Sequence, residues 1–266
     1  MPLGLIDGDV LCYHSCPSRW KDKHLPKVYD MDGVLIPHEF TKEEDEEYLR
    51  ICWGIFQTKL KNIIDKLFLA DVLMAVKSKE NYRDVIYNNY KKNRSRRPSQ
   101  IAPIIEALRT LAVMEGLAVR STGREADDML RIWAEESRRA KRDFYIITID
   151  KDLKCIPGKY WNMKSESLEI ITEDFARNFF YKQLLAGDST DNIPGIRGIG
   201  MKTAEKILNC CKTENEYQEA VVDQYIRAYG DDWFSHFLTN GKLINIQKHV
   251  NDYFECDKWP IIQELI

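Results

Sequence analysis

The residues with the clearest chemistry are carboxylates that follow short apolar runs. Asp7 and Asp9 come directly after residues 3–6, Glu125, Asp127 and Asp128 shortly after residues 117–120, and Asp150 and Asp152 after residues 144–149. Asp188 and Asp191, in a Gly-Asp-Ser-Thr-Asp-Asn stretch, form a fourth group. Taken singly, each has an ordinary explanation. An Asp at a strand end is commonly a helix cap, an acidic first turn suits the helix dipole, and Asp-Lys-Asp makes a solvated turn. Four acidic groups on one edge of one sheet are a different matter, because they would repel one another unless cations neutralised them. Hard divalent ions such as Mg²⁺ take oxygen ligands, keep several waters and bind phosphate. Two of them, roughly 4 Å apart, clamp the attacking and leaving oxygens of a phosphodiester.

The elements that must position these acids follow from periodicity. Residues 3–6, 71–76, 117–120 and 144–149 are apolar runs suited to buried parallel strands. Between them, apolar residues at helical spacing (Tyr48, Ile51, Ile55, Leu60, Ile63, Ile64, Leu67) predict a long helix over 43–68, and further helices are expected over 101–115 and 125–140. Residues 14–40, with three prolines, predict an irregular excursion holding one hairpin. Strands alternating with helices imply an α/β fold, a mostly parallel sheet flanked by helices, whose ligands bind beyond the carboxyl ends of the strands. After residue 180 the pattern turns helical, so a division into 1–180 and a helical region 181–266 packed on it is expected.

Composition narrows the class. The 266 residues are 30% charged and hold no apolar run near the roughly 20 residues a spanning helix needs. The amino-terminal stretch has no basic flank and meets Asp7 early, unlike a secretory signal. Seven cysteines without a CxxC pair suit reduced thiols and a cytoplasmic setting. The net charge of −3 argues superficially against a nucleic-acid partner, yet residues 77–97 carry eight basic residues and two acids, while residues 43–47 are five acids in a row. In the basic segment Arg83, Lys91, Lys92, Arg94, Arg96 and Arg97 are interleaved with Tyr82, Tyr87 and Tyr90, a mixture of charge for phosphates and ring faces for stacking. With two divalent ions bound, the formal total moves from −3 to about +1.

Residues 192–208 have the layout of a helix-hairpin-helix. Gly195, Gly198 and Gly200 allow close approach to a phosphate, the next helix offers free amides, and Lys202 and Thr203 stand in its first turn. Such a turn grips the sugar-phosphate backbone without reading bases.

One pattern points elsewhere. Asp30-Met31-Asp32-Gly33-Val34 resembles the nucleophile loop of haloacid-dehalogenase-type phosphatases, and residues 187–191 resemble their second metal motif. Pro26 and Lys27 are poor for the buried central strand such a loop must follow, and residues 180–186 read as helix, so a hairpin turning at Asp-Gly is expected instead.

The blocks LIDGD (5–9), YRDVIYNNYKKNR (82–94), READDML (124–130), TIDKDL (148–153) and GDSTDNIPGIRGIGMKTAEKIL (187–208) together resemble the 5′-nuclease family: phage-type 5′→3′ exonucleases, flap endonucleases and the 5′-nuclease domain of bacterial DNA polymerase I. The resemblance spans most of the chain in the family's order. It implies a PIN-like fold, a structure-selective hydrolase acting on DNA 5′ ends, flaps or nicks and on RNA–DNA hybrids, and products with a 5′-phosphate and a 3′-hydroxyl. It also implies two Mg²⁺, replaceable by Mn²⁺, a K⁺ at the hairpin, a monomer, and contacts with replication proteins.

Residue by residue, Asp7, Glu125, Asp127, Asp128, Asp150 and Asp152 match the family's metal-site acids, with Asp188 and Asp191 completing the second site. Lys91 and Arg94 match the basic pair at the base of a helical arch over residues 78–100, with Asp128 and Asp150 beside them in catalysis. Arg83, Tyr90, Lys92, Arg97 and the hairpin residues would hold DNA. Ser78 stands where the family commonly has an Asp, so the first metal site is expected to rely on Asp7, Asp128, Asp150 and waters, with Lys77 near a phosphate. The competing classes are a DNA-binding protein with a degenerate metal site and a PIN-like ribonuclease. Retention of the 125–128 and 150–152 acids favours a nuclease, and the hairpin favours DNA.

Overall fold

The computed structural model describes residues 1–17, 28–29, 31–32, 35–36, 41–93 and 101–265. Six strands form one sheet: β1 (Leu3–Asp7), β4 (Asp71–Val76), β5 (Val119–Arg120), β6 (Phe144–Thr148), β7 (Gly158–Asn162) and β8 (Ser167–Ile171), in the order β5-β4-β1-β6-β7-β8. Every neighbouring pair is parallel except β7 with β8. β1 lies in the middle, all five residues buried, paired with β4 on one side and β6 on the other. The chain moves outward from β1 through β4 to β5 and then returns to β6 on the opposite side of β1. The crevice at that reversal, beyond the carboxyl ends of β1 and β6, is where open α/β sheets bind ligands.

Helices cover both faces. On one, α1 (Gly8–His14), α2 (Lys42–Leu67) and α4 (Ala102–Met114) bury Leu11, Phe56, Leu60 and Leu108 against Ile6, Met74 and Ile147. On the other, α5 (Ala126–Arg139) and α6 (Glu173–Ala186) bury Leu130, Ala134 and Ala176 against Leu5, Ile146 and Tyr160. α2 begins at a reciprocal cap between Thr41 and Glu44, which satisfies two otherwise free amides. The remaining helices α7 (Met201–Leu208), α8 (Glu214–Tyr229), α9 (Trp233–Ile244) and α10 (Pro260–Leu265) gather with α6 around an aromatic core of Tyr181, Tyr225, Phe237, Phe254 and Trp259. Among the described residues no helix is long and apolar enough to cross a membrane.

Two outcomes differ from the sequence reading or decide it. The β7–β8 hairpin was not expected from sequence; its turn is closed by the Asn162 side chain, which accepts from the Lys164 and Ser165 amides at 2.9 and 3.0 Å. Near residue 30, β2 (Val28–Tyr29) and β3 (Leu35–Ile36) pair antiparallel as a ribbon separate from the main sheet. Asp30, Gly33 and Val34 lie outside the described residues, but an antiparallel ribbon is not the central strand that a phosphatase nucleophile requires. Asp188 likewise follows helix α6 and not a strand, so the phosphatase pattern is accidental.

Candidate active site

Asp7 ends β1 at the centre of the carboxyl edge and is nearly inaccessible to solvent. Its Oδ1 accepts the Val10 amide at 3.1 Å, capping α1, and its Oδ2 accepts the Thr148 hydroxyl at 2.7 Å. Burial nevertheless pushes its carboxyl up to about 7; these two hydrogen bonds work against the rise, and the charges of Asp9 and Asp150 add to it. Asp127, in the first turn of α5, is driven well above the carboxylate range by desolvation and by Asp7, Asp150 and Glu125. Asp152 is pushed up to about 7 by desolvation, then by Asp150 and Asp188, with Asp191 adding a smaller share. Asp150 therefore adds repulsion to Asp7, Asp127 and Asp152 alike.

Short-range contacts fix these acids. Asp150 caps the 3₁₀ turn Lys151–Cys155 by accepting the Asp152 amide at 2.9 Å, and its own amide donates to the Thr148 hydroxyl oxygen at 2.9 Å. The Tyr160 hydroxyl donates to the Asp150 carbonyl at 2.9 Å, and Gln183 on α6 donates from Nε2 to Asp152 Oδ1 at 2.8 Å. Thr148 and Gln183 were missed from sequence. A hydroxyl residue closing an apolar strand just before Asp-Lys-Asp is a readable signal for the first; nothing local marks the second.

Asp128 does not join the cluster. Its carboxylate is fully buried and accepts four hydrogen bonds: from Arg83 Nη1 at 2.8 Å and Nη2 at 2.9 Å, from the Glu125 amide at 3.0 Å and from the Gln247 amide at 3.0 Å. With Glu125 it completes a capping box, so the ordinary helix-start reading of Glu-Ala-Asp-Asp holds for this residue. The expectation of Asp128 as metal ligand and catalytic group is corrected accordingly. Arg83, expected to bind DNA, is corrected with it. The guanidinium is 2% exposed and also donates to the carbonyls of Leu243 at 3.0 Å and Asn245 at 2.6 Å.

Tyr90 is the third correction. Its ring is buried with Ile193, Leu243 and Ile244, leaving no face for a base, and its hydroxyl donates to Glu125 Oε2 at 3.0 Å and Asp191 Oδ2 at 3.3 Å. Lys91 joins the same two acids, ion-paired to Glu125 and 3.3 Å from Asp191 Oδ2. Burial works to raise the Glu125 carboxyl, but Arg83 and Lys91, with hydrogen bonds from Lys91 and Tyr90, hold it below its ordinary value. Lys91 adopts a left-handed φ of 55°, and its amide donates to the Asp191 carbonyl at 2.8 Å. Asn192 Nδ2 to the Asn89 carbonyl at 2.7 Å adds a second tie between the segment around Lys91 and the 188–193 turn. Lys92 is exposed. Arg94 and Arg97, with most of the expected arch tip, lie outside the described residues.

The β4 end of the rim contributes no acid. Val76 is buried, the Lys77 amide donates to both oxygens of Asp9 at 3.3 and 3.2 Å, and the Ser78 hydroxyl donates to the Glu80 carbonyl at 2.7 Å. Asp9 is also held by Arg109 Nε at 2.6 Å. Ser78 therefore completes a local turn, and the expected reliance of a first site on Asp128 fails with the burial of that residue.

In the glycine turn, Gly195 and Gly187 face each other: a Cβ on Gly195 would lie 2.3 Å from the Ala186 carbonyl carbon, and one on Gly187 2.3 Å from the Ile193 oxygen. Gly195 thus packs the turn upon itself, with no room for a side chain. Gly198, at φ 86°, and Gly200 have open space where a side chain would be. Gly200 begins α7 without a side-chain cap, its carbonyl accepts the Thr203 and Ala204 amides at 2.9 Å, and Lys202 and Thr203 are exposed.

Acids at the carboxyl edge of a mostly parallel sheet, beside the segment around Lys91 and a glycine turn, define an α/β fold whose ligands meet the sheet at that edge. Residues 35–180 match the family model described as 5′-3′ exonuclease, N-terminal resolvase-like domain, and the chain belongs to that family. Among its relatives is a 5′-3′ exonuclease of Mycoplasma pneumoniae, 28% identical over 77% of this chain and 70% of the relative. A 5′-3′ exonuclease of Buchnera aphidicola is 30% identical over 60% of this chain and 58% of its own length, and DNA polymerase I of Rhizobium leguminosarum is 32% identical over 49% of this chain and 14% of its own length. In fold, the chain resembles the T5 5′-exonuclease with divalent zinc bound (TM-score 0.58, 13% identity, 92% of this chain and 90% of that one). It also resembles the bacteriophage T5 flap endonuclease in a pseudo-enzyme-product complex with DNA and metal ions (TM-score 0.56, 14% identity, 100% and 99%).

Proposed function

We propose that this protein is a divalent-metal-dependent DNA hydrolase with 5′→3′ exonuclease and 5′-flap endonuclease activity. The observation that carries this reading is the gathering of acids at the carboxyl edge: Asp7 ends β1, Asp150 follows β6 and accepts the Asp152 amide, and burial first, then mutual repulsion, holds Asp7, Asp127 and Asp152 above their ordinary values. An all-oxygen donor set of this charge fits hard divalent cations such as Mg²⁺ or Mn²⁺, which Asp7, Asp127, Asp150 and Asp152, with Asp188 and Asp191, would hold. Among the described residues no three His, Cys, Asp or Glu side chains are drawn close enough to hold an ion by themselves. When bound, such ions supply an activated water and offset the charge that develops on the phosphate.

The chain's own groups do the rest. Lys91, ion-paired with Glu125 and 3.3 Å from Asp191, would turn to the scissile phosphate and its growing negative charge. The open backbone at Gly198 and Gly200 and the exposed Lys202 and Thr203 side chains would hold the backbone of the duplex without base reading. The organisation into a catalytic part, 1–180, and a helical DNA-holding part, 181–266, follows from these roles. Products would carry a 5′-phosphate and a 3′-hydroxyl.

The test uses 5′-labelled and internally labelled flap, nicked, RNA-flap and single-stranded substrates, with and without Mg²⁺. Metal-dependent cutting of DNA flaps that Asp150→Asn abolishes, while DNA binding persists, supports the reading. Cutting by Asp150→Asn at the wild-type rate overturns it.

A further inference from the structure

We propose that Thr148 is a positioning residue for the hydrolysis, its one hydroxyl tying Asp7 on β1 to Asp150 beyond β6 and so setting the spacing of the two acids. The proposal rests on the reading of these acids as ligands of a divalent cation. Thr148 ends β6 one step beyond the Ile6–Ile147 register pair, which puts it beside Asp7 at the carboxyl edge. It is fully buried, and its carbonyl is pinned by the Met163 amide at 3.1 Å. The hydroxyl proton goes to Asp7 Oδ2 at 2.7 Å, and its oxygen accepts the Asp150 amide at 2.9 Å. A hydroxyl has one proton to give, so these two bonds fix its direction and polarise each other.

The consequence spreads along the rim. With Val10 on the other oxygen, Asp7 cannot rotate, and its remaining lone pairs are aimed. Asp150, held by its own amide, accepts the Asp152 amide, and Asp152 is in turn held by Gln183. One buried threonine thereby sets the first link of a chain through three acids. Partners of this kind, which orient ligands without touching the ion, typically carry 10- to 100-fold of metal affinity.

Thr148→Val keeps the size and removes both bonds; Thr148→Ser keeps them. Each variant is checked by circular dichroism, and Mn²⁺ binding is followed by electron paramagnetic resonance on the DNA-free protein, then flap cleavage across a Mn²⁺ titration. Thr148→Val should bind Mn²⁺ about 10- to 100-fold more weakly and need correspondingly more metal for half-maximal cleavage, with the KM for DNA unchanged. Thr148→Ser should stay within a few-fold of wild type. A folded Thr148→Val with wild-type Mn²⁺ affinity overturns the proposal, as does equal loss in Val and Ser. If the Val variant does not fold, Thr148→Cys, a weak donor of similar size, must bind Mn²⁺ more weakly than Ser, or the proposal falls. Wild-type protein that binds no Mn²⁺ at all sinks the metal reading itself, and this proposal with it.

Discussion

Arg83 and Asp128 form a buried bidentate ion pair, 2.8 and 2.9 Å on its two arms, between the short helix α3 (Tyr82–Ile86) and the first turn of α5. Arg83 also reaches the Leu243 and Asn245 carbonyls, and the Gln247 amide reaches Asp128, so the pair fastens the end of α9 to the sheet domain. Asp128→Ala leaves a buried guanidinium without its counter-charge and should cost roughly 3–5 kcal/mol in urea unfolding. Replacing both partners with apolar residues of similar volume, Arg83→Met with Asp128→Leu, should recover a large part of that loss. A double variant no more stable than Asp128→Ala would show that the pair contributes more than charge balance.

Lys91 serves the metal-free protein as an internal cation between Glu125 and Asp191. A divalent ion approaching these acids competes with its ammonium group. Lys91→Met should therefore bind Mn²⁺ more tightly than wild type, by several-fold in calorimetry, while cutting flaps about 100-fold more slowly for want of a charge at the phosphate. Weaker Mn²⁺ binding in Lys91→Met would contradict the competition.

The raised acids give the metal-free protein a defined pH response. Asp7 and Asp152 move from 3.8 to about 7 in the fold, so the folded protein holds their protons more tightly than the unfolded chain does. Their contribution to stability is complete below about pH 4 and is lost as pH rises toward 7. Acids shifted the other way, such as Glu125 and Glu106, add stability as pH rises only through their ordinary value of 4.5, below most of the pH 5 to 8 interval, and so offset the trend little there. In the presence of a chelator, Tm should fall between pH 5 and pH 8, and Mg²⁺ should raise Tm more at pH 8 than at pH 5. A metal-free Tm that climbs over this interval would refute the account.

Much of this was legible in the chain. The placing of Asp7 and Asp150 was legible because each directly follows an apolar strand and a parallel sheet aligns such ends, while Asp127 and Asp152 lie in the first turns that follow. The roles of Asp128 and Arg83 were not legible, since a partner 45 residues away leaves no local trace, and a capping carboxylate looks the same as a ligand. Tyr90 misled for a similar reason: an aromatic among basic residues suits stacking, but its packing against Ile193 and Leu243 is set by the distant α9. The β7–β8 hairpin lacked a glycine turn signal, because Asn162 closes it with a side chain instead.

The glycine turn separates a packing role from a binding one. Gly195→Ala would set a Cβ against the Ala186 backbone at 2.3 Å and should destabilise the helical region around Tyr181 and Tyr225. Gly200, with φ −95° and open space, accepts alanine without strain. Lys202 is exposed in the first turn of α7, and Lys202→Ala should leave Tm within about 1 °C while weakening duplex binding for all sequences alike. The slope of log affinity against log salt should drop by about one, because one phosphate contact fewer releases one counter-ion fewer. Fluorescence anisotropy from 50 to 200 mM salt measures that slope. An unchanged slope in Lys202→Ala would place the duplex on another face, whereas a loss confined to one sequence would mean that the turn reads bases.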